Sequence, residues 1–153
     1  MYKKVLVPLD GSELAECALE HVKKLAKDGT LGEVVLLNVI LIPLPPIGTD
    51  YNAGYIDFTA LANYYLDESK KYLMAQQSKL SLEGITVKTE SIEGANPASI
   101  IIDYTRQNGI DLIIMATHGY TGVKKMLLGS VANKVLQESH APVLLIRPEV
   151  ARK

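Results

Sequence analysis

The residues best suited to chemistry lie in DLIIMATHGYTGVKKMLLGSVANKVL, from Asp111 to Leu136. A short apolar run, Leu112 to Met115, ends in a loop holding His118, Gly119, Gly122, Lys124 and Lys125, and Gly129-Ser130 then opens a helical pattern. Glycines let backbone N–H groups approach an anion closely, and a serine at a helix start adds a hydroxyl beside the positive end of the helix dipole. Anion binding is the chemistry this mixture supports, although glycine loops also serve as plain turns. A second polar group, Asp10-Gly11-Ser12, follows the apolar run Lys4 to Pro8. Asp10 either contacts a ligand or only tightens its own turn. His118 either donates to an anion or points outward. Gly122 reads as a turn residue, and Lys124 and Lys125 read as solvated.

Other chemistries lack their residues. No G-x-G-x-x-G follows the first strand, no G-x-x-x-x-G-K-[ST] occurs, and the G-x-S-x-G elbow is missing. His118 has no cysteine or histidine at metal-ligand spacing, so no metal ligands and no catalytic residues are assigned. His21 falls within an amphipathic helical pattern and is expected at its surface. His140 follows a helix whose dipole favours its charged form. The lone Cys17 has no partner for a disulfide and reads as a small core residue of a reducing compartment.

Positioning these groups requires a scaffold, and the chain supplies alternating strands and helices. Lys4–Pro8 reads as a strand buried on both faces. Ser12 is a candidate N-cap, with Glu13 and Glu16 in the first turn of a helix whose inward residues include Leu14, Cys17, Ala18, Val22 and Leu25 and which closes at Asp28-Gly29. Val34–Ile40 is a second buried strand. The stretch 41–57, with three prolines and two glycines, is a long loop. A helix is expected over Phe58–Leu82, turned inward at Leu61, Tyr65, Tyr72, Leu73 and Leu80, and the tyrosines between Tyr51 and Tyr72 read as packing for the long loop and this helix or as partner contacts. Ile85–Ile92 alternates like an edge strand. Asn96-Pro97 starts a third helix containing Ile100, Ile101 and Tyr104 and stopping at Gly109. Asp111–Met115 is a strand, Gly129–Glu138 a helix and Pro142–Ile146 a strand.

This alternation implies one α/β domain over 1–153, a doubly wound, five-stranded parallel sheet of order 3-2-1-4-5 with helices on both faces. Ligands of such sheets sit beyond the carboxyl ends of the strands where the order reverses. Here that point falls between Pro8-Leu9-Asp10 and Met115 to Gly119, which is where the unusual loop lies. A formal charge of -1 argues against a general nucleic-acid binder. No apolar run reaches bilayer length and no secretory leader pattern opens the chain, so a soluble, cytoplasmic protein without membrane partners is expected.

The stretch ATHGYTGVKKMLLGSV resembles the signature of the universal stress protein family, whose nucleotide-binding members carry G-x-x-G, nine residues, then G-[ST]. Gly119, the nine residues 120–128 and Gly129-Ser130 match it. The opening KKVLVPLDGS, the run VVLLNVI, the helix start EGANPASII and the closing SHAPVLLIRP extend the resemblance over the whole chain. It implies binding of ATP or AMP, with Mg2+ or Mn2+ held through the phosphates. Pro8 and Asp10 would line the adenine and ribose side, with the Asp10 carboxylate accepting from ribose hydroxyls, and Val39 would pack against the base. Met115 would close the floor, and Gly119, Gly129, Ser130 and Val131 would contact phosphate, with Ala116 and His118 beside them. The resemblance further implies a homodimer through Val143–Ile146 and a stress-response regulator biased by its ligand toward an unknown protein partner. A member acting only through its dimer surface and a slow ATPase are the alternatives. Ala116 departs from the pattern, which has its first glycine there. If that position needs positive φ, alanine strains it by roughly 1 kcal/mol or more; with negative φ the change is nearly silent.

Overall fold

The first strand, β1 (Tyr2–Pro8), carries the sheet, because Val5, Leu6 and Val7 are wholly buried. It pairs in parallel with β2 (Leu31–Ile40) on one side and β4 (Leu112–Ala116) on the other. The edges are β3 (Val87–Glu93), beside β2, and β5 (Val143–Ile146), beside β4. The order is therefore β3-β2-β1-β4-β5 with every pairing parallel, as the alternation of elements predicted. The computed structural model describes residues 1–43, 57–118 and 128–148.

Four helices cover the two faces: α1 (Glu13–Lys27), α2 (Phe58–Ser81), α3 (Pro97–Gln107) and α4 (Ser130–Glu138). Alternate residues of the strands separate into two cores. Val5, Val7, Val34 and Leu36 pack with Ala18 and Val22 of α1 and with Leu73 and Leu80 of α2. Leu6, Val35, Leu37 and Ile113 pack with Ile101 of α3 and Val135 of α4. Period-two alternation puts successive side chains on opposite faces, and each buried aliphatic contributes roughly 1.5–3 kcal/mol. Among the described residues no helix is long and apolar enough to cross a membrane.

The caps follow their residue types. Ser12 accepts from Ala15 N at 3.1 Å and Asn96 from Ser99 N at 3.2 Å, with Pro97 opening α3. Strand ends differ from the sequence reading because apolar runs mark only the buried part of a ladder. Pairing of Tyr2 with Leu31 and Lys4 with Glu33 extends β1 and β2 outward into more accessible residues. β4 begins at Leu112, one residue after Asp111, whose amide still donates to Lys4 O of β1 at 3.0 Å while its carboxylate takes Lys3 N at 2.8 Å and Lys4 N at 3.0 Å. The strand expected at Ile85 begins at Val87, since the Ile85 amide returns to Leu80 O at the end of α2.

The inward faces of α1, α2 and α3 are turned slightly from the expected stripes. Ala15 and Leu19 are buried where Leu14, Cys17 and Leu25 are half-buried, and Ile102 is buried where Ile100 is half-buried. His21, expected at the surface, is half-buried. In α2, Leu73 and Leu80 are buried but Leu61, Tyr65 and Tyr72 are only half-buried. Ser69 and Gln76 occupy the remaining buried positions. Gln76 Nε2 and Tyr72 Oη both donate to Glu16 Oε1, at 2.8 and 3.1 Å, so a carboxylate on α1 satisfies the polar part of that interface. Tyr104 is held above the ordinary tyrosine range, chiefly by burial and secondarily by Glu90 and Glu33. Among the histidines, His140 Nε2 lies 2.8 Å from Arg106 Nη2.

Gly32 fixes how closely β1 and β2 approach, because a Cβ there would lie 2.4 Å from the Lys3 carbonyl oxygen. Backbone cannot step aside as a flexible side chain can. Gly32→Ala is expected to destabilise the protein by about 2–3 kcal/mol, read as a lower urea midpoint. A loss under about 0.5 kcal/mol, the level of an ordinary surface change, would refute this account of the ladder.

Candidate functional site

The crevice opens where β1 and β4 end side by side, since their continuing chains leave toward helices on opposite faces. Beyond β1, the Leu9 amide donates to Leu37 O at 2.8 Å and the Leu9 carbonyl accepts from Asn38 Nδ2 at 2.8 Å. Gly11 then takes φ +86°, a left-handed turn that suits glycine. Asp10 Oδ1 accepts from Ser12 N at 2.9 Å and Ser12 Oγ at 2.5 Å. The turn role considered for Asp10 is thus real, and the residue remains exposed at the crevice lip. Pro8 is half-buried at the end of β1, and Val39 is half-buried near the end of β2, packed on the α3/α4 side.

Beyond β4, burial continues past the strand. Met115, Ala116, Thr117 and His118 are 5, 7, 6 and 6% exposed, so His118 does not point outward. Its Nδ1 lies 2.9 Å from Thr117 Oγ1. Thr117 is also the backbone hub, its amide donating to Ile146 O at 2.9 Å and its carbonyl accepting from Gly129 N at 2.7 Å. Ala116 belongs to the strand and pairs with Ile146. No described residue other than glycine has positive φ, so the strained alternative for Ala116 does not apply.

Gly129 is the N-cap of α4, with Ser130 the first helical residue. A Cβ at Gly129 would lie 3.0 Å from Thr117 O and 3.6 Å from His118 Cα. Glycine is therefore needed for close approach, not for unusual torsions, since its φ is -67°. The Gly129 amide is engaged by Thr117, and Gly129 supplies no capping side chain. The next amides, of Ser130 and Val131, belong to the first turn, where an α-helix offers no internal acceptor. Ser130 is exposed and Val131 half-buried. A helix end of this kind favours an anion.

Pro8, Asp10 and Val39 thus lie at or just past the ends of β1 and β2, Met115, Ala116 and His118 at the end of β4, and Gly129, Ser130 and Val131 at the start of α4. Gly119, with Gly122, Lys124 and Lys125, lies outside the described residues, as do Tyr51 and Tyr55. Asn38 and Thr117 hold the two strand ends and were not singled out from sequence. Asn38 did leave a signal, because a polar residue interrupts an otherwise aliphatic run. No cluster of three or more His, Cys, Asp or Glu fit for a metal occurs among the described residues. Of two cavities lined by described residues, one of about 240 Å³ lies between the end of α1, the start of β2 and the turn after α2, and one of about 290 Å³ lies between α1 and the C-terminal half of α2; neither involves these carboxyl strand ends. Both are bordered by Lys23, already paired with Glu20 and Glu83.

Comparison with known proteins agrees with the architecture. The profile of the Universal stress protein family matches residues 1–147. The universal stress protein MJ0577 of Methanocaldococcus jannaschii is 36% identical over 157 residues, spanning 96% of each chain. Its structure superposes with a TM-score of 0.80, covering 97% of this chain and 98% of that one. An Arabidopsis thaliana family protein solved with AMP bound shares the fold at 14% identity and TM-score 0.65, covering 96% of this chain and 92% of its own. A universal stress protein solved with cAMP does so at 18% identity and TM-score 0.61, with coverages of 97 and 98%. A sheet of order β3-β2-β1-β4-β5, a glycine-capped helix at its crevice and a match along nearly the whole sequence leave one conclusion: this chain belongs to the universal stress protein family.

Proposed function

We infer that the crevice binds an adenine nucleotide, ATP or AMP, and that occupancy biases the protein between states read by a partner. The observation that carries this reading is the start of α4, an N-cap without a side chain pressed by a 2.7 Å hydrogen bond onto the end of β4. Phosphate would take the amides of Ser130 and Val131 and the Ser130 hydroxyl, with Gly119 completing the cradle. The exposed Asp10 carboxylate, one strand away, would accept from ribose hydroxyls, and Pro8, Val39 and Met115 would meet the base. Ala116 and His118 would border the phosphate side. Mg2+ or Mn2+, where present, would be held through the phosphates. The AMP and cAMP complexes of proteins with this fold support an adenylate as ligand.

The proposed mechanism is population shift: a ligand moves the equilibrium only by its difference in affinity for the two states. The surface that responds would be the homodimer formed along β5, whose Leu144 is 37% exposed, or an adjoining partner face. Turnover is no part of this reading, because phosphoryl transfer needs charge stabilisation and a positioned water, for which the described strand ends offer only Asp10 and His118.

Titration calorimetry of nucleotide-stripped protein should give saturable heat with ATP or AMP below about 1 mM, a binding free energy of about -4 kcal/mol or better. Absence of heat with ATP, AMP and cAMP at that level removes the reading. Gly129→Lys should abolish binding by filling the phosphate site. Gly129→Ala, which loses a favourable N-cap residue and crowds Thr117, should cost about 1 kcal/mol of stability by urea titration. Normal ATP affinity in folded Gly129→Lys would put the phosphate elsewhere. Asp10→Ala should weaken ATP roughly tenfold or more, through loss of a charged acceptor; an unchanged affinity would remove Asp10 from the ribose.

A further inference from the structure

Asn38 continues the file Val34, Leu36 that β2 turns toward α1 and α2. A polar residue here needs partners, and Asn38 has two, with a third polar group one bond further on. Its Nδ2 donates to Leu9 O at 2.8 Å, its Oδ1 accepts from Ser69 Oγ of α2 at 2.6 Å, and Ser69 Oγ lies 2.7 Å from Ser91 Oγ of β3. Ser69 is 7% exposed, and Ser91 pairs with Asn38 in the β2–β3 register.

The direction of every bond follows from chemistry. A carbonyl oxygen only accepts, so the amide nitrogen of Asn38 must face Leu9 and its oxygen must face Ser69. That oxygen also only accepts, so Ser69 spends its one hydroxyl proton there. Ser91 must then donate to Ser69. The relay has one proton arrangement, and Asn38 has one flip state.

The far end of this relay is the peptide between Leu9 and Asp10. A trans peptide is planar, so turning its C=O toward Asn38 turns the Asp10 N–H away from Asn38. The Leu9 amide is already tied to Leu37 O. With both sides of Leu9 fixed, the backbone enters Asp10 in one direction, and the Ser12 bonds then orient the carboxylate.

We propose that Asn38, locked by Ser69 and Ser91, is a positioning residue for the nucleotide crevice: it aims Asp10 without touching ligand. The proposal rests on the nucleotide reading above for its binding consequence, but not for its structural one. A layer serving stability alone would lower the denaturation midpoint while leaving the Asp10 turn and the affinity of folded protein unchanged.

The test combines calorimetry with amide NMR on Asn38→Leu and Ser69→Ala, at a temperature where each is folded. Asn38→Leu is expected to weaken ATP about tenfold and Ser69→Ala about threefold, in line with loss of hydrogen bonds at a positioned group. Both should move the ligand-free amide resonances of Asp10, Gly11 and Ser12, while Ser91→Thr, which keeps the hydroxyl, retains wild-type values. Wild-type resonances at those three residues in either folded variant overturn the proposal. So does an unchanged ATP affinity in a variant whose resonances move. Should wild-type protein take up no ATP, the nucleotide reading fails separately, and the resonances alone decide whether Asn38 sets the turn. Ser69→Ala decides the matter should Asn38→Leu not fold.

Discussion

The double pairing of β1 is the constraint on which the rest depends. A parallel strand buried on both faces must place its hydrogen bonds in two ladders, and β1 does so with β2 and β4. Parallel neighbours cannot be joined by a tight turn, so each connection crosses a face through a helix. From β1 the chain leaves into α1 on one face, and from β4 it travels to α4 on the other. Two diverging connections open a crevice beyond the carboxyl ends of the strands. The crevice is therefore a consequence of topology, present before any residue is specialised for binding.

What specialises it is the way each strand end satisfies its last polar groups. At β1, a carbonyl that has run out of ladder takes a side-chain amide from Asn38, and a carboxylate ties Ser12 into the turn. At β4, the Thr117 carbonyl takes the Gly129 amide and anchors the start of α4. Buried backbone groups left unpaired cost about 1–3 kcal/mol each, so these bonds are needed for folding. They also determine what the strand ends present: an exposed carboxylate beyond β1 and the first-turn amides of α4 beside β4.

Much of this was legible because buried parallel strands and capped helices have strong local signatures. KVLVP, VVLLNVI and DLIIM reported the central strands, and Ser12 and Asn96 reported their helices through side chains able to cap. The strand order 3-2-1-4-5 is one of the few that alternation and handedness allow, and the position of the crevice follows once that order is taken. Less visible was anything set by contact between distant residues. The polar positions Ser69 and Gln76 break the apolar stripe of α2 because their partners, Asn38 and Glu16, lie on other elements. Asp111 reads only as a strand residue in sequence, and its carboxylate also binds the Lys3 and Lys4 amides of β1. His118, next to a glycine-rich loop, admits both an anion-facing and an outward reading from sequence, and the packed end of β4 keeps it buried. Periodicity reports which face a residue turns inward; it carries no information about which polar group awaits it there.

The two small residues that bracket the loop illustrate the same distinction. Family pattern alone makes Ala116 a loss of glycine, and glycine in such motifs suggests either rare torsions or close approach. Ala116 lies in an extended strand, paired with Ile146, where alanine adopts the backbone without strain. Gly129 also has ordinary torsions, yet a Cβ there would crowd the Thr117 carbonyl at 3.0 Å. The requirement at 129 is thus steric and backbone-facing, and it acts before any ligand arrives. At 116 the backbone makes no such demand, so a methyl group there counts against binding only through its direct distance to a phosphate. The pattern's first glycine and its third therefore answer to different physics, and replacing one says nothing about the cost of replacing the other.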